Sequence, residues 1–211
     1  MLSRGLLGWE PRVPERRVRL APQLPAEWPR LTVHQLPLGA ARYDLTLARE
    51  PGRFRARLQR TSGTAAVDTL IFEPRLPPGT TLRGVDGDLR GRCEAPAATP
   101  TELRVSCRLP LGDTTDLVLD LDPGYQVLLP PASSLPGDRS HGVRLVDLSV
   151  VADTAILTFE GPAGTSPVIR VRRRQEQDLG VSFPLPGDPL DGYSRIEQRL
   201  WLPAAVAPER P

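Results

Sequence analysis

RFRARLQR, residues Arg53–Arg60, alternates without a break: Phe54, Ala56 and Leu58 fall on one side of an extended chain, Arg53, Arg55, Arg57 and Gln59 on the other. A period of two belongs to a strand with one dry face and one wet face. LRVSCRL, Leu103–Leu109, repeats the pattern, with Leu103, Val105, Cys107 and Leu109 opposite Arg104, Ser106 and Arg108. DLVLDLD, Asp116–Asp122, sets Leu117, Leu119 and Leu121 against Asp116, Val118, Asp120 and Asp122. These are half-buried strands of antiparallel sheets.

Working outward, further strands are expected at Leu31–Leu36, Ala41–Ala48, Ala66–Phe72, Thr81–Val85, Asp88–Cys93, Tyr125–Leu129, Val143–Val151, Thr154–Glu160, Val168–Arg173 and Arg195–Leu202. Turn signals separate them: Pro51-Gly52, Pro78-Gly79, Asp86-Gly87, Pro123-Gly124, Pro136-Gly137 and Gly161-Pro162. Asp86-Gly87 is the sharpest, because a type I′ hairpin needs positive φ at both central residues. The 25 prolines and 18 glycines of the 211-residue chain suit many short strands and leave little room for helices. The fold class expected is all-β, an antiparallel two-sheet β-sandwich with a proline-rich N-terminal lead-in. One short helix is expected within Leu2–Trp9. The organisation reads as a connector over 1–29, a sandwich domain over 30–202 and a frayed tail over 203–211. PPASSLP, Pro130–Pro136, offers a second division, but each half would lie near the lower size limit of a sandwich, so one domain is expected.

The formal net charge is only +2, which excludes a strongly basic nucleic-acid tail or an acidic solvating one. All 27 positive side chains are arginine, and lysine and asparagine are absent, a bias of the kind a GC-rich genome produces. No stretch approaches the roughly 18 apolar residues of a membrane span. MLSRGLLGWEP lacks the apolar run and cleavage site of a secretory signal, so a cytoplasmic chain is expected. Cys93 and Cys107 fall on the inward parity of neighbouring strands; two buried thiols are expected, or a disulfide if the chain is exported.

Residues with catalytic chemistry are sparse. His34 and His141 are the two histidines, and neither lies in an H-E-x-x-H pair or a cysteine/histidine cluster with zinc spacing. Ser140-His141 sits in GDRSHG, a turn before a strand, where a nucleophile elbow would join strand to helix. Asp113, Asp116, Asp120 and Asp122 are dense enough for a loose Ca²⁺ site but lack the order of an EF-hand loop, and a solvated strand face is the better reading. The stripes Arg53/Arg55/Arg57 and Arg170/Arg172/Arg174 read as wet faces paired with acids across a sheet, without the interleaved aromatics of a nucleic-acid surface. A stand-alone enzyme would need two facing carboxylates, such as Asp147 or Glu160 with Asp120. No catalytic residue, metal ligand or cofactor site is assigned.

Several strings together resemble a known family. PQLPAEWPRLTVHQLPLGAARYDLTL, Pro22–Leu47, resembles the start of the C-terminal β-sandwich of bacterial (α/α)6-barrel glycoside hydrolases, the six-hairpin glycosidases related to glycogen-debranching amylo-α-1,6-glucosidases. The resemblance rests on Pro22, Leu24, Pro25, Trp28, Gly39 and Tyr43. LLGWEPRVPERRVRLAP is similar to the barrel-to-sandwich connector, Pro136–Val171 to a later strand pair with its EG-x-x-G turn, and GYSRIEQRLWLP to the final strand. In that family the barrel carries the acid and base carboxylates, and the sandwich packs on it. The resemblance therefore implies a non-catalytic accessory or scaffold sandwich of a carbohydrate-active enzyme, whose partner is an (α/α)6-barrel catalytic domain or subunit. It also implies an apolar face to be covered, with Leu6, Leu7, Trp9 and Trp28 as domain-interface candidates. The alternative is a stand-alone carbohydrate-binding module, with an α-glucan as its ligand.

Overall fold

A computed structural model describes residues 5–25, 27–86, 93–94, 96–131, 142–152, 154–173, 178–187 and 192–201. Nearly all of the described regular structure is strand, apart from a single 3-10 turn at Val13–Glu15. The chain divides into two compact units, 1–125 and 126–211. The division falls inside the span 30–202 expected as one sandwich, a few residues before PPASSLP.

Unit 1 begins with β1 (Glu10–Arg12), β2 (Arg17–Leu20), β3 (Arg30–Leu38), β4 (Ala41–Glu50), β5 (Arg53–Ser62) and β6 (Thr69–Phe72). It continues with β7 (Arg75–Leu76), β8 (Thr81–Val85), β9 (Ala97–Ala98), β10 (Leu103–Arg104), β11 (Cys107–Pro110) and β12 (Thr114–Asp122). They form a five-stranded sheet, β3-β4-β5-β12-β8, a four-stranded sheet, β1-β2-β6-β11, and a small sheet, β7-β10-β9. The alternation read from Arg53–Arg60 holds: Phe54, Ala56 and Leu58 are buried and Arg53, Arg55 and Arg57 are exposed. Leu117, Leu119 and Leu121 of β12 and Leu45 and Leu47 of β4 join them inside. Phe54 of β5 stacks on Phe72 of β6 with ring centroids 6.1 Å apart, so two sheets share one apolar interior in the manner of a sandwich.

Three details depart from the expectation. β2 pairs with β6 in parallel, Val18 opposite Leu70 and Leu20 opposite Phe72, within an otherwise antiparallel set. Leu103–Leu109 is two strands, not one, because the chain changes partners: β10 pairs with β7 and β9, and β11 with β6. The inward parity nonetheless survives, and Leu103, Val105, Cys107 and Leu109 are all buried. The segment 1–29, expected as a connector, contributes β1 and β2 to the four-stranded sheet. It packs so closely that a Cβ on Gly8, whose φ is +56°, would stand 2.7 Å from the Ala21 carbonyl oxygen. Of the helix expected within Leu2–Trp9, residues 2–4 lie outside the described residues, and Leu6–Trp9 forms no helix. The Asp86-Gly87 and Pro136-Gly137 turns, the strand Asp88–Cys93 apart from Cys93, and the tail 203–211 also lie outside them.

Unit 2 carries β13 (Tyr125–Leu128), which starts at the last residue of unit 1, β14 (Arg144–Val151) and β15 (Thr154–Pro162). β16 (Val168–Arg173), β17 (Leu179–Ser182) and β18 (Tyr193–Trp201) follow. Two three-stranded sheets result, β13-β16-β17 and β14-β15-β18. Ala155, Leu157 and Phe159 of β15, Ile169 and Val171 of β16, and Phe183 are buried, and Phe159 stacks on Phe183 at 4.6 Å. Gly161-Pro162 is not a turn: β15 runs through it, with Gly161 opposite Ser194 and Pro162 opposite Tyr193. The neighbours pack closely on it: a Cβ there would meet Leu185 Cδ1 at 2.8 Å and Val143 Cγ2 at 3.0 Å, so these side chains would have to shift to admit one. Among the described residues no helix is long and apolar enough to cross a membrane.

Candidate functional site

Two of the four residues expected to face a partner are instead consumed by unit 1. Leu7 is 2% exposed and Trp9 4%, both within its core. The Trp9 indole N–H donates to the Pro37 carbonyl at 3.2 Å, the use a buried indole makes of its one polar atom. Leu6 is half-buried, and Trp28 is exposed. Leu7 and Trp9 are therefore core, and the association-prone patch drawn from them is not present on this surface. The lead-in is held down further by Arg49, whose guanidinium donates to the Leu24 carbonyl at 3.1 Å and the Pro25 carbonyl at 3.4 Å. Burial pushes the Arg49 pKa down from its ordinary value.

The acidic and basic stripes meet each other. Asp120 accepts from Arg53 at 2.9 Å, Asp116 lies 3.9 Å from Arg57, and Asp113 and Asp122 pair with Arg60 and Arg83. On β16, Arg170 and Arg172 share Asp178, at 3.6 Å and 2.7 Å. These are cross-strand charge pairs on wet faces, each a small contribution to stability. Glu160 is tied to Arg144 at 2.9 Å. Asp120 and Glu160 thus each have an arginine partner, and they belong to different units. His141, Ser140 and Arg174 lie outside the described residues.

His34 has an arrangement that sequence spacing hid. A bulge between Val33 and Leu36 puts Gln35 at φ 58° and turns His34 toward β4. Its Nδ1 lies 2.8 Å from Asp44, whose other oxygen accepts from the Gln35 backbone N–H at 2.9 Å. The backbone N–H first, and His34 second, hold the Asp44 carboxyl below the usual carboxylate range. His34 is exposed on the sheet surface and Asp44 half-buried beside it.

Among the described residues, a cleft of about 270 Å³ opens in unit 1, where β2, the segment Glu73–Arg75, β9, β10 and the residues around Glu94 converge. One side is a closed network. Glu73 accepts from Arg19 Nε at 2.5 Å and from the Ser106 hydroxyl at 3.2 Å, and Arg19 also donates to Glu10 at 3.1 Å. Hydrogen bonding to Glu73 pushes the Arg19 pKa up from its ordinary value. On the other side Arg75 and Arg104 face each other directly in the strand register. Like charges opposite one another are unfavourable, and Glu102 lies between them, its oxygens 3.8 Å from Arg75 Nε and 2.5 Å from Arg104 Nε. Only Arg104 is hydrogen-bonded to Glu102, Arg75 standing at ion-pair distance, and both guanidiniums are more than half exposed. Of the lining residues, Pro74 and Val105 are buried.

A covalent tie fixes the remaining wall. Cys93 and Cys107 form a disulfide with their Cα atoms 3.9 Å apart, in place of the two thiols expected. They face each other as an antiparallel bridge, and the next residue, Glu94, donates its backbone N–H to the Ser106 carbonyl at 2.8 Å. Glu94 is therefore carried into the cleft by a bond to β11, and its carboxylate has no side-chain partner among the described residues. Nothing in the sequence marks this cleft, whose residues come from positions 19, 73–75 and 94–106. Comparison with models of known protein families gives no match, and comparison with curated protein sequences gives none either.

Proposed function

We propose that the chain is a non-catalytic accessory β-sandwich of a carbohydrate-active enzyme, bracing an (α/α)6-barrel that another domain or subunit supplies. The resemblance of Pro22–Leu47, Pro136–Val171 and the closing GYSRIEQRLWLP to the sandwich of six-hairpin glycosidases motivates this reading. One structural observation supports it beyond the resemblance. Of the seven large hydrophobic side chains exposed among the described residues, six lie in unit 2: Val146, Val151, Val168, Leu179, Tyr193 and Trp201. Trp201, 71% exposed, and Val151, 54% exposed, flank Thr154 of β15 in one cross-strand row. An apolar row this open on a sheet face suits a surface that another body covers.

The experiment begins with the coding sequence around that for Met1. A helical domain of several hundred residues, in frame or as the adjacent gene, is expected. Co-expressed with it, the chain should co-purify, and Trp201→Ser should release it. Unrelated neighbouring genes, or a barrel that neither binds nor needs the chain, would overturn the reading.

A further inference from the structure

Among the described residues, the long sheet edges are interrupted by devices that discourage pairing, with one exception. β14 carries a bulge between Leu145 and Asp147, and β3 carries one between Val33 and Leu36, with Pro37 beyond it. β8 is a short edge of five residues. β18 is the exception: its nine residues include no proline or glycine and pair with β15 without a bulge, and no strand among the described residues lies along its other side. We infer that β18 pairs antiparallel with β18 of a second copy of the chain, in the register centred on Gln198.

Charge complementarity decides both the occupant and the register. Two strands related by a two-fold axis make every contact twice. Centred on Gln198, each Glu197 faces Arg199 of the other copy. Glu197 and Arg199 already form an ion pair within the strand at 3.1 Å, so the two copies together close an alternating ring of charge. Each Arg195 faces Trp201 of the other copy, a cation–π pairing for an indole that is 71% exposed. On the opposite face of the strand, half-buried Ile196 meets Leu200 across the join. Neighbouring registers do less. Centred on Glu197 or on Arg199, like charges meet at the axis; centred on Ile196, Leu200 and Trp201 overhang the end of the other strand. A foreign strand would have to reproduce this alternation, whereas a second copy supplies it. Main-chain hydrogen bonds along the join extend two three-stranded sheets into one. The pairing involves β18 and its copy alone, so it does not depend on the bracing role.

The test is sedimentation velocity of the whole chain by itself, from micromolar to sub-millimolar concentration, where a reversible monomer–dimer equilibrium is expected. Glu197→Arg and Arg199→Glu should each weaken the dimer tenfold or more, and their combination should restore it, while Asp147→Arg on β14 leaves it unchanged. Circular dichroism matching the parent establishes that each variant is folded. Because Gln198 faces its own copy, Gln198→Cys should join two chains by a disulfide on oxidation with copper phenanthroline, and faster than Glu197→Cys does; the native cysteines are already bonded to each other. A monomer throughout the range, which would leave the edge to a foreign strand, would overturn the inference. So would a dimer that Glu197→Arg leaves intact, or crosslinking that is faster at position 197 than at 198. A barrel that fails to bind would not touch it.

Discussion

Replacing Tyr43 with phenylalanine should make the protein more stable. Tyr43 sits on β4 opposite Leu36 and Arg60, is 0% exposed, and its hydroxyl has no hydrogen-bond partner among the described residues. A buried hydroxyl left unpaired costs about 1–3 kcal/mol. Its removal leaves a gap smaller than a methyl group, and a methyl-sized gap costs about 1 kcal/mol. The balance favours Tyr43→Phe by about 1 kcal/mol, or roughly 2–4 °C in Tm for a chain of this length. Burial, more than the nearby Asp113, also pushes the Tyr43 pKa up, with Arg60 opposing. A pKa raised in the folded state means that stability is full below the unfolded value of about 10 and falls as pH rises beyond it. The variant should therefore lose less stability than the parent between neutral and strongly alkaline pH. Urea unfolding monitored by circular dichroism measures both effects, with an unchanged m-value confirming that the same surface unfolds. If Tyr43→Phe is destabilised by about 1 kcal/mol or more, the hydroxyl has a partner and the reasoning fails.

The disulfide spans a sequence separation of 14 residues, for which chain entropy gives about 3 kcal/mol; Cys93→Ser with Cys107→Ser should lower the urea midpoint accordingly, and an unchanged midpoint would show the tie is not formed. Leu7→Ala should cost about 2–5 kcal/mol by scanning calorimetry, as for any buried leucine, whereas a small effect on Tm together with reduced self-association would return Leu7 to the surface. Asp44, Asp68 and Asp178 have lowered folded pKa values, chiefly through the Gln35 backbone N–H, the Thr69 hydroxyl and Arg172 respectively. Their stabilisation is present above about pH 4 and is lost as pH falls through the folded values; Asp44→Asn should flatten the acid limb of a stability–pH profile, and an identical limb would show that Asp44 is not coupled to folding.

Strand faces were legible because a period of two is a local property. Phe54/Ala56/Leu58 and Leu117/Leu119/Leu121 could be placed inside from their own neighbours alone. Partners are not local, which is why the parallel β2–β6 pair and the division of Leu103–Leu109 between two sheets were not visible. RVRL, Arg17–Leu20, does alternate, but the surrounding prolines disguised it as a linker, and with it the burial of Leu7 and Trp9. Gly161-Pro162 carries the composition of a turn, yet the glycine answers a packing demand from Leu185 and Val143. Inward parity placed Cys93 and Cys107 on one side without giving the distance between their sulfurs. The cleft was the least legible feature: its two opposed arginines are 29 positions apart, by subtraction of their numbers, and only the sheet register brings them together.

β18 is a nine-residue strand at the edge of its sheet among the described residues. Long, exposed edges are templates for unwanted pairing with another chain. Between the exposed aromatics Tyr193 and Trp201, the outward positions of β18 are Arg195, Glu197 and Arg199. A second copy laid antiparallel along this edge, centred on Glu197, would place each Arg195 beside an Arg199. In that register the like charges in the middle of the strand oppose the pairing that its aromatic ends invite, so the edge constrains the register in which a second copy could add to it.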